Sequence, residues 1–361
     1  MERIACFPGK YIQGSGTISR LASLIKQFGK KALLVTSPTA GKFLPFRERS
    51  GEFSSLVCIE VFGGECCERE LDRMASAIAR EKAEVVVGMG GGKVIDTAKI
   101  SADRAGLPVI VVPTIASTDA PCSGCAVTYS REGVFESVLY QRLNPSVVLV
   151  DLEILLKAPV RYLVSGMGDA LATWFEARSC VASDSMNECG GLSTLTGNRL
   201  ARLCYEVLLE SGVQAKQDNA AGILSPAFEN IAEANILLSG IGFESGGLAS
   251  AHAIHNGLTV LSETHAFYHG EKVAFGVLTG IHLNGSAPEE IREVYAFCQS
   301  IGLPTKLSDL GVSPDNSEGL LKVARKATEE GSSIHHEGRK ISAEEVLEAM
   351  LRADDYGRKH G

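Results

Sequence analysis

The sequence predicts two halves of different class, an α/β half built on a parallel sheet and then an all-α half. Three observations carry this. Short β-branched runs alternate with stretches of helical spacing over residues 32–151, and a glycine cluster joins one such run to a helix. After Pro159 the β-branched runs nearly vanish, and Ala, Leu, Glu and Ser dominate with helical periodicity. A length of 361 residues suits two domains. The change of character falls near residues 155–163, giving domains over 1–160 and 161–361.

Ala32-Leu-Leu-Val35 reads as a short strand, closed by the turn-like Thr36-Ser-Pro-Thr39. Leu71, Met74, Ala75, Ile78 and Ala79 recur at three and four, the spacing of a helix. Glu84-Val-Val-Val87 is a continuous run that fits a strand buried on both faces. A helix over about 93–105 and a strand over 108–112 follow the glycines. Strand, turn, helix and strand make a βαβ unit, hence parallel strands with a right-handed crossover. Ser146-Val-Val-Leu-Val150 is a further strand, ending in Asp151. Ligands of such sheets collect at the carboxyl ends of the strands.

Composition removes several function classes. Thirty-five Lys+Arg against 43 Asp+Glu leave a net charge of −8, and basic residues never run longer than two. Affinity for nucleic acid rests on cations that neutralise phosphates, so no nucleic-acid partner is expected. The longest apolar stretches, such as Leu107 to Val112, fall far short of the roughly 20 residues of a membrane helix, so no membrane partner is expected. The start lacks the apolar core of a signal peptide, and a cytoplasmic location is expected. Ten cysteines are too dilute for a disulfide scaffold. Cys122 and Cys125 form one C-x-x-C in a Thr/Ser/Pro/Gly-rich loop with no second pair nearby, a poor context for zinc or redox work.

Two constellations carry candidate chemistry. Val87-Gly-Met-Gly-Gly-Gly-Lys-Val-Ile-Asp96 joins a buried strand to a helix. Its glycines admit a close ligand, and the helix start offers unpaired N–H groups to a phosphate. The common phosphate-loop and dinucleotide patterns fit it incompletely, because Val87, Lys93 and Val94 fall where they want glycine or a hydroxyl. A tight turn with close packing accounts for one or two glycines, not for four. The other constellation lies in the helical half. Asp169 follows the turn-like Ser165-Gly-Met-Gly168, where capping of the next helix is the ordinary reading. No histidine precedes His252, and four of the eight lie within 252–269. His252 and His255, three apart, share a helix face. One carboxylate and two imidazoles with a fourth position open form a catalytic zinc arrangement. Spacing alone leaves structural roles for each residue equally open.

Longer motifs resolve that ambiguity. They include Pro8-Gly-Lys-Tyr-Ile-Gln-Gly14, Gly90-Gly-Gly-Lys-Val-Ile-Asp-Thr-Ala-Lys99 and Pro113-Thr-Ile-Ala-Ser-Thr-Asp-Ala-Pro121. Ala158-Pro-Val-Arg161, Ser165 to Arg178, Gly242-Phe-Glu-Ser-Gly-Gly-Leu-Ala249 and His269-Gly-Glu-Lys-Val-Ala-Phe-Gly276 follow in order. Together they resemble the glycerol dehydrogenases of the iron-containing alcohol dehydrogenase superfamily, almost end to end. The resemblance implies a Rossmann-like NAD-binding domain followed by an all-α domain, the dehydroquinate synthase-like fold, with the site in the cleft between. It implies a zinc-dependent oxidoreductase that moves a hydride from the secondary hydroxyl of glycerol, or a related vicinal diol, to NAD. The product is dihydroxyacetone or a hydroxyketone.

Carried over residue by residue, the metal ligands fall on Asp169, His252 and His269. Iron-binding relatives have a further histidine where this chain has Thr173, which favours three protein ligands and zinc, with other divalent metals open. His255 becomes a neighbour of the ligands, either passing the released proton to water or packing its helix. The pyrophosphate turn falls on Gly90, Gly91, Gly92, Lys93, Val94, Ile95 and Asp96. Further cofactor contacts fall on Thr114, Ile115, Ala116, Ser117, Ser123, Cys125 and Tyr129, and Asp119 meets the polyol. Relatives commonly carry an aspartate at the position of Ser37, where it grips the adenosine ribose. A serine neither makes that charge-assisted bond nor repels a 2′-phosphate, so NADP stays open beside NAD. Cys122-Ser-Gly-Cys-Ala126 is less apolar than the usual version, which bears on substrate preference. Family members form homo-oligomers, often octamers.

Three rival readings remain. Glycerol-1-phosphate dehydrogenase and a dehydroquinate-synthase-like lyase bind phosphorylated substrates, and no Lys/Arg cluster accompanies the histidines. A cofactor-binding protein without turnover has no use for an open metal site.

Overall fold

The computed structural model describes residues 1–43, 55–131 and 135–360. The chain divides into two compact units. One is Cys6–Pro159 with Gly222–Leu224, and the other is Met1–Ala5, Val160–Ala221 and Ser225–Gly361.

Among the described residues the sheet of the first unit has six strands: β1 (Tyr11–Gly14), β2 (Ala32–Thr36), β3 (Val57–Val61), β4 (Val85–Gly90), β5 (Val109–Pro113) and β8 (Val147–Asp151). They pair in the order β1-β8-β5-β4-β2-β3, every pair parallel. β6 (Cys125–Tyr129) and β7 (Phe135–Tyr140) form a separate antiparallel hairpin. Every residue of β2, β4, β5 and β8 is buried, the condition that continuous Val/Ile/Leu runs require. Helix α1 (Leu21–Phe28) covers one face, with Leu21, Leu24 and Ile25 against Leu34, Val87 and Ile110. Each fully buried side chain of that kind contributes about 1.5–3 kcal/mol.

Helices α2 (Glu68–Glu81) and α3 (Gly92–Ala105) follow β3 and β4. The predicted strands and helices of this half are all present, with ends moved by one to three residues. β1, β3 and the hairpin went unread, being short or mixed in polarity. β3 is an edge strand that buries Val57, half-buries Cys58 and Glu60, and leaves Ile59 and Val61 exposed.

Strand order positions the turns. β2 leads outward to β3, whereas β4 leads the other way to β5, so direction reverses between the neighbours β2 and β4. Thr36 lies beside Met89, and Gly90 beside Pro113. Ser37, Gly91 and Thr114 therefore leave the carboxyl ends of three adjacent strands, at the switch point where such sheets take ligands.

The second unit is helical. A short helix, α4 (Leu152–Leu156), closes the first unit, and α5 (Val160–Ala182) and α6 (Leu195–Ala221) open the second. α7 (Pro226–Glu233), α8 (Ser239–Gly246), α9 (Ser250–Leu258) and α10 (His269–Leu283) come next. α11 (Pro288–Ile301), α12 (Ser317–Ala327) and α13 (Ala343–His360) complete it. One reading is corrected here: Ser165-Gly-Met-Gly168 is no turn but the middle of α5, a continuous helix of 23 residues. Glycine costs a helix about 1 kcal/mol, and here close packing requires it. A Cβ on Gly168 would lie 2.3 Å from the Gly270 carbonyl oxygen, and one on Gly270 would lie 1.8 Å from that of Ser165. The two glycines let α5 and α10 cross backbone to backbone. Asp169 is therefore not a capping residue. It projects from mid-helix, where nothing about helix ends explains it.

Among the described residues Cys122 is buried and Cys125 half-buried. Among the described residues, no helix is long and apolar enough to cross a membrane.

Candidate metal centre and glycine turn

Three helices bring the candidate ligands together. α5 supplies Asp169, wholly buried, α9 supplies His252, and His269 is the first residue of α10. Asp169 Oδ1 lies 3.0 Å from His269 Nε2 and 3.5 Å from His252 Nε2, and one donor atom from each residue fits within 4.8 Å of the others. The start of α10 is itself secured. Glu271 accepts the Tyr268 N–H at 2.7 Å and the Arg161 guanidinium of α5 at 2.6 and 2.8 Å.

The outer ring nitrogens decide which way the inner ones face. His252 Nδ1 donates to Glu176 Oε2 at 2.6 Å, so Nε2 is the nitrogen turned to Asp169, and its lone pair is what a cation would take in place of a proton. His269 Nδ1 lies 3.0 Å from His255 Nε2, and His255 Nδ1 lies 3.0 Å from Asn256 Oδ1. With an oxygen at the end, protons run outward along this chain, which leaves His269 Nε2 as the nitrogen turned to Asp169, at 3.0 Å. Carboxylate and carbonyl partners behind metal-binding histidines act in this way. Glu176 does more. Its Oε1 accepts the backbone N–H of Ala249 and of His252, both at 2.9 Å.

The electrostatics match a cation site. Burial alone would raise Asp169, but His269 and His252 outweigh it and hold the carboxyl far below its usual range. Burial would lower His252, yet Glu176 and Asp169 outweigh it and hold the imidazole well above its ordinary value. Burial, helped by His269, Lys272 and His252, holds His255 well below its ordinary value, so it is neutral. Two acids thus press positive charge onto one point between buried side chains, and a divalent cation satisfies them there as a proton does. Two imidazole nitrogens and one carboxylate oxygen suit zinc with an open fourth position. Thr173 does not join them, since its hydroxyl bonds Ser239 Oγ at 2.9 Å.

Glu176 was missed in the sequence. It lies seven residues after Asp169, two turns along the same helix face, and that spacing was the available signal.

In the first unit, packing explains more of the glycine cluster than its sequence does. A Cβ on Gly88 would lie 2.6 Å from Ala98, one on Gly90 2.8 Å from Val94 and one on Gly91 2.9 Å from Ile115. Three of the four glycines are thus required by the fold. Gly92 is different, because its nearest neighbour would be Thr118 at 3.8 Å. It begins α3, whose first N–H groups have no partner within the helix. Open space beside a helix start of this kind is where a phosphate can approach the backbone.

The remaining cofactor candidates divide between surface and interior. Ser37 Oγ accepts the Ala40 N–H at 3.1 Å and lies 3.2 Å from Thr39 Oγ1. Lys93 pairs with Glu65 at 2.6 Å above the ring of Tyr129. Thr114 and Ile115 are half-buried, whereas Val94, Ile95, Ala116, Ser117 and Asp119 are buried. Asp96 faces inward, accepting the Val127 N–H at 3.2 Å beside the Lys99 ammonium at 3.8 Å. Burial pushes its carboxyl up to about 6, against the pull of Lys99 and Val127. Lys99, also buried, donates to the Ala120 carbonyl at 2.9 Å and to that of Cys125, with Ser123 Oγ at 3.4 Å. Ser123 and the Cys125 carbonyl are thus interior to the loop between β5 and β6.

Residues 8–152 match the iron-containing alcohol dehydrogenase family. A glycerol dehydrogenase of Thermotoga maritima is 50% identical over 353 residues, covering 98% of this chain and 97% of that protein. The chain belongs to the iron-containing alcohol dehydrogenase family. A second member, a glycerol dehydrogenase of Escherichia coli, is 44% identical over 361 residues, covering 99% of this chain and 98% of its own. Among solved structures, a probable glycerol dehydrogenase from Sinorhizobium meliloti superposes with a TM-score of 0.94 at 44% identity, covering 99% of this chain and all of that one. The protein is an enzyme, an oxidoreductase of this family, and its α/β unit and helical unit are the family fold.

Proposed function

We propose that the protein is a zinc-dependent glycerol dehydrogenase. It oxidises the secondary hydroxyl of glycerol or a related vicinal diol and hands the hydride to NAD. The observation that carries this is the meeting of Asp169, His252 and His269, whose donor atoms converge within 4.8 Å of one another. When bound, zinc supplies a Lewis acid that acidifies a coordinated alcohol, and NAD supplies the hydride acceptor. Asp169, His252 and His269 are the proposed holders of the metal, and Glu176 keeps the His252 tautomer and ring direction. His255, neutral and bonded to His269, is the proposed outlet for the alcohol proton.

The cofactor reading places the pyrophosphate on the start of α3 at Gly92, with Ser37 nearest the adenosine ribose. Ser37 presents a hydroxyl that already serves Ala40, so NADP is proposed as a weaker alternative to NAD. The polyol contact of Asp119, the homo-oligomer and the cytoplasmic location rest on the resemblance.

Metal content measured with a steady-state panel tests the proposal. Glycerol and 1,2-propanediol are compared with glycerol 1-phosphate, each with NAD and NADP. Stoichiometric zinc and turnover of the unphosphorylated diols with NAD are expected. Full activity after chelation, or turnover of the phosphorylated substrate alone, refutes it.

A further inference from the structure

Helix α9 starts without a side-chain cap of its own. Its first N–H groups are taken by two carboxylates from elsewhere in the second unit. Glu176 accepts those of Ala249 and His252, and Glu337 Oε1 accepts that of Ser250 at 3.1 Å. Negative groups at a buried helix start are favoured by the helix dipole as well as by the bonds.

Glu337 has two further partners. Its Oε2 accepts from Ser179 Oγ at 2.6 Å and from Asn284 Nδ2 at 2.7 Å. Ser179 lies on α5, one turn past Glu176, and Asn284 closes the carboxyl end of α10. One carboxylate therefore ties α5, α9 and α10, the three helices that supply Asp169, His252 and His269. The segment that carries it, Ser333–Glu337, adds Ser333 Oγ on the Ala249 carbonyl and His336 Nδ1 on that of Leu248, both at 2.7 Å. A polar cavity of about 640 Å³ lies beside Glu337, lined by Arg178, Ser286 and Arg339 among others.

We propose that Glu337 is a positioning residue for the metal centre: it fastens the three ligand-bearing helices in one register without touching the ligands. The inference rests on the metal assignment above and extends it to a residue remote from the donor atoms.

The test compares wild type, Glu337→Ala and Glu337→Gln, each loaded with cobalt(II) or zinc. Zinc transfer to a colorimetric chelator, the visible bands of the cobalt form and the circular-dichroism melt are read. Glu337→Ala is expected to release zinc about 10-fold faster, the low end of what outer partners of metal ligands are worth, with shifted cobalt bands. Glu337→Gln is expected to recover most of the loss. It keeps an oxygen for Ser250, and its amide donor suits Asn284 turned over.

Wild-type release and unshifted bands in Glu337→Ala overturn the proposal while leaving the metal assignment standing. A wild type that takes up no stoichiometric metal overturns both. Should Glu337→Ala not fold, the double variant Ser179→Ala/Asn284→Ala frees α5 and α10 and spares the Ser250 bond. It is expected to release zinc about 3-fold faster, and an unchanged rate overturns the proposal.

Discussion

The two units use the same residue types for opposite purposes. In the α/β unit the candidate residues leave strand ends, so the sheet positions them, and Gly92 alone of its four clustered glycines leaves a helix start open. In the helical unit the candidate ligands sit within helices or on a first turn, and glycine lets whole helices touch. The lesson is that a functional turn tolerates change in its interior packing only where the backbone is free. A helix-borne site depends on contacts far from its donor atoms.

The comparison is broken most directly at the ligands. Asp169→Asn is expected to lower zinc affinity by more than about 100-fold, beyond the roughly 10–100-fold that an outer partner is worth. The far-ultraviolet circular dichroism should stay unchanged. Retained affinity by chelator competition would remove Asp169 from the set.

Gly270→Ala comes next. Its Cβ would lie 1.8 Å from the Ser165 carbonyl oxygen, so α10 must move. A loss of about 3 kcal/mol is expected, read from the denaturant midpoint.

Asp96 gives a dependence on pH. Its carboxyl rises from 3.8 to about 6 on folding. Below the unfolded value both states are protonated and the group contributes nothing. Between about 4 and 6 the folded protein keeps a proton that the unfolded chain has lost, so stability falls as pH rises and stays lower above 6. Relative to wild type, Asp96→Asn should therefore gain on the order of 2–3 kcal/mol between pH 4 and pH 7. Parallel stability curves over that range would refute the shift.

The smallest expected effect sharpens the contrast between the two glycine roles. Gly92→Ala has room for its methyl group, and its stability should stay within about 0.5 kcal/mol of wild type. NADH binding, followed by fluorescence, should weaken about 10-fold, the equivalent of roughly 1.4 kcal/mol. An unaffected affinity would move the pyrophosphate away from α3.

Legibility in the sequence followed the range of the interaction. The buried strands were readable because each is a local run of Val, Ile and Leu, and their parallel order follows from the helices between them. Asp169, His252 and His269 were legible as a set through clustering and resemblance, and the fold brings them together. The helix through Gly168 was misread because local propensity favours a turn, while the requirement for glycine comes from Gly270, 102 positions away. Glu176, Glu337 and Lys99 escaped for the same reason. Each resembles any surface charge on an amphipathic stretch until the partner that buries it is known.

The double hold of Glu176 on His252 has a consequence for ion choice. The same carboxylate grips the peptide N–H and the imidazole of one residue, so the ring cannot swing unless the start of its helix swings too. Nitrogen-to-ion distance on that side is consequently a property of helix docking, not of rotamer choice. Adjustment to a larger or smaller cation falls to His269, whose side chain is 35% exposed against 14% for His252.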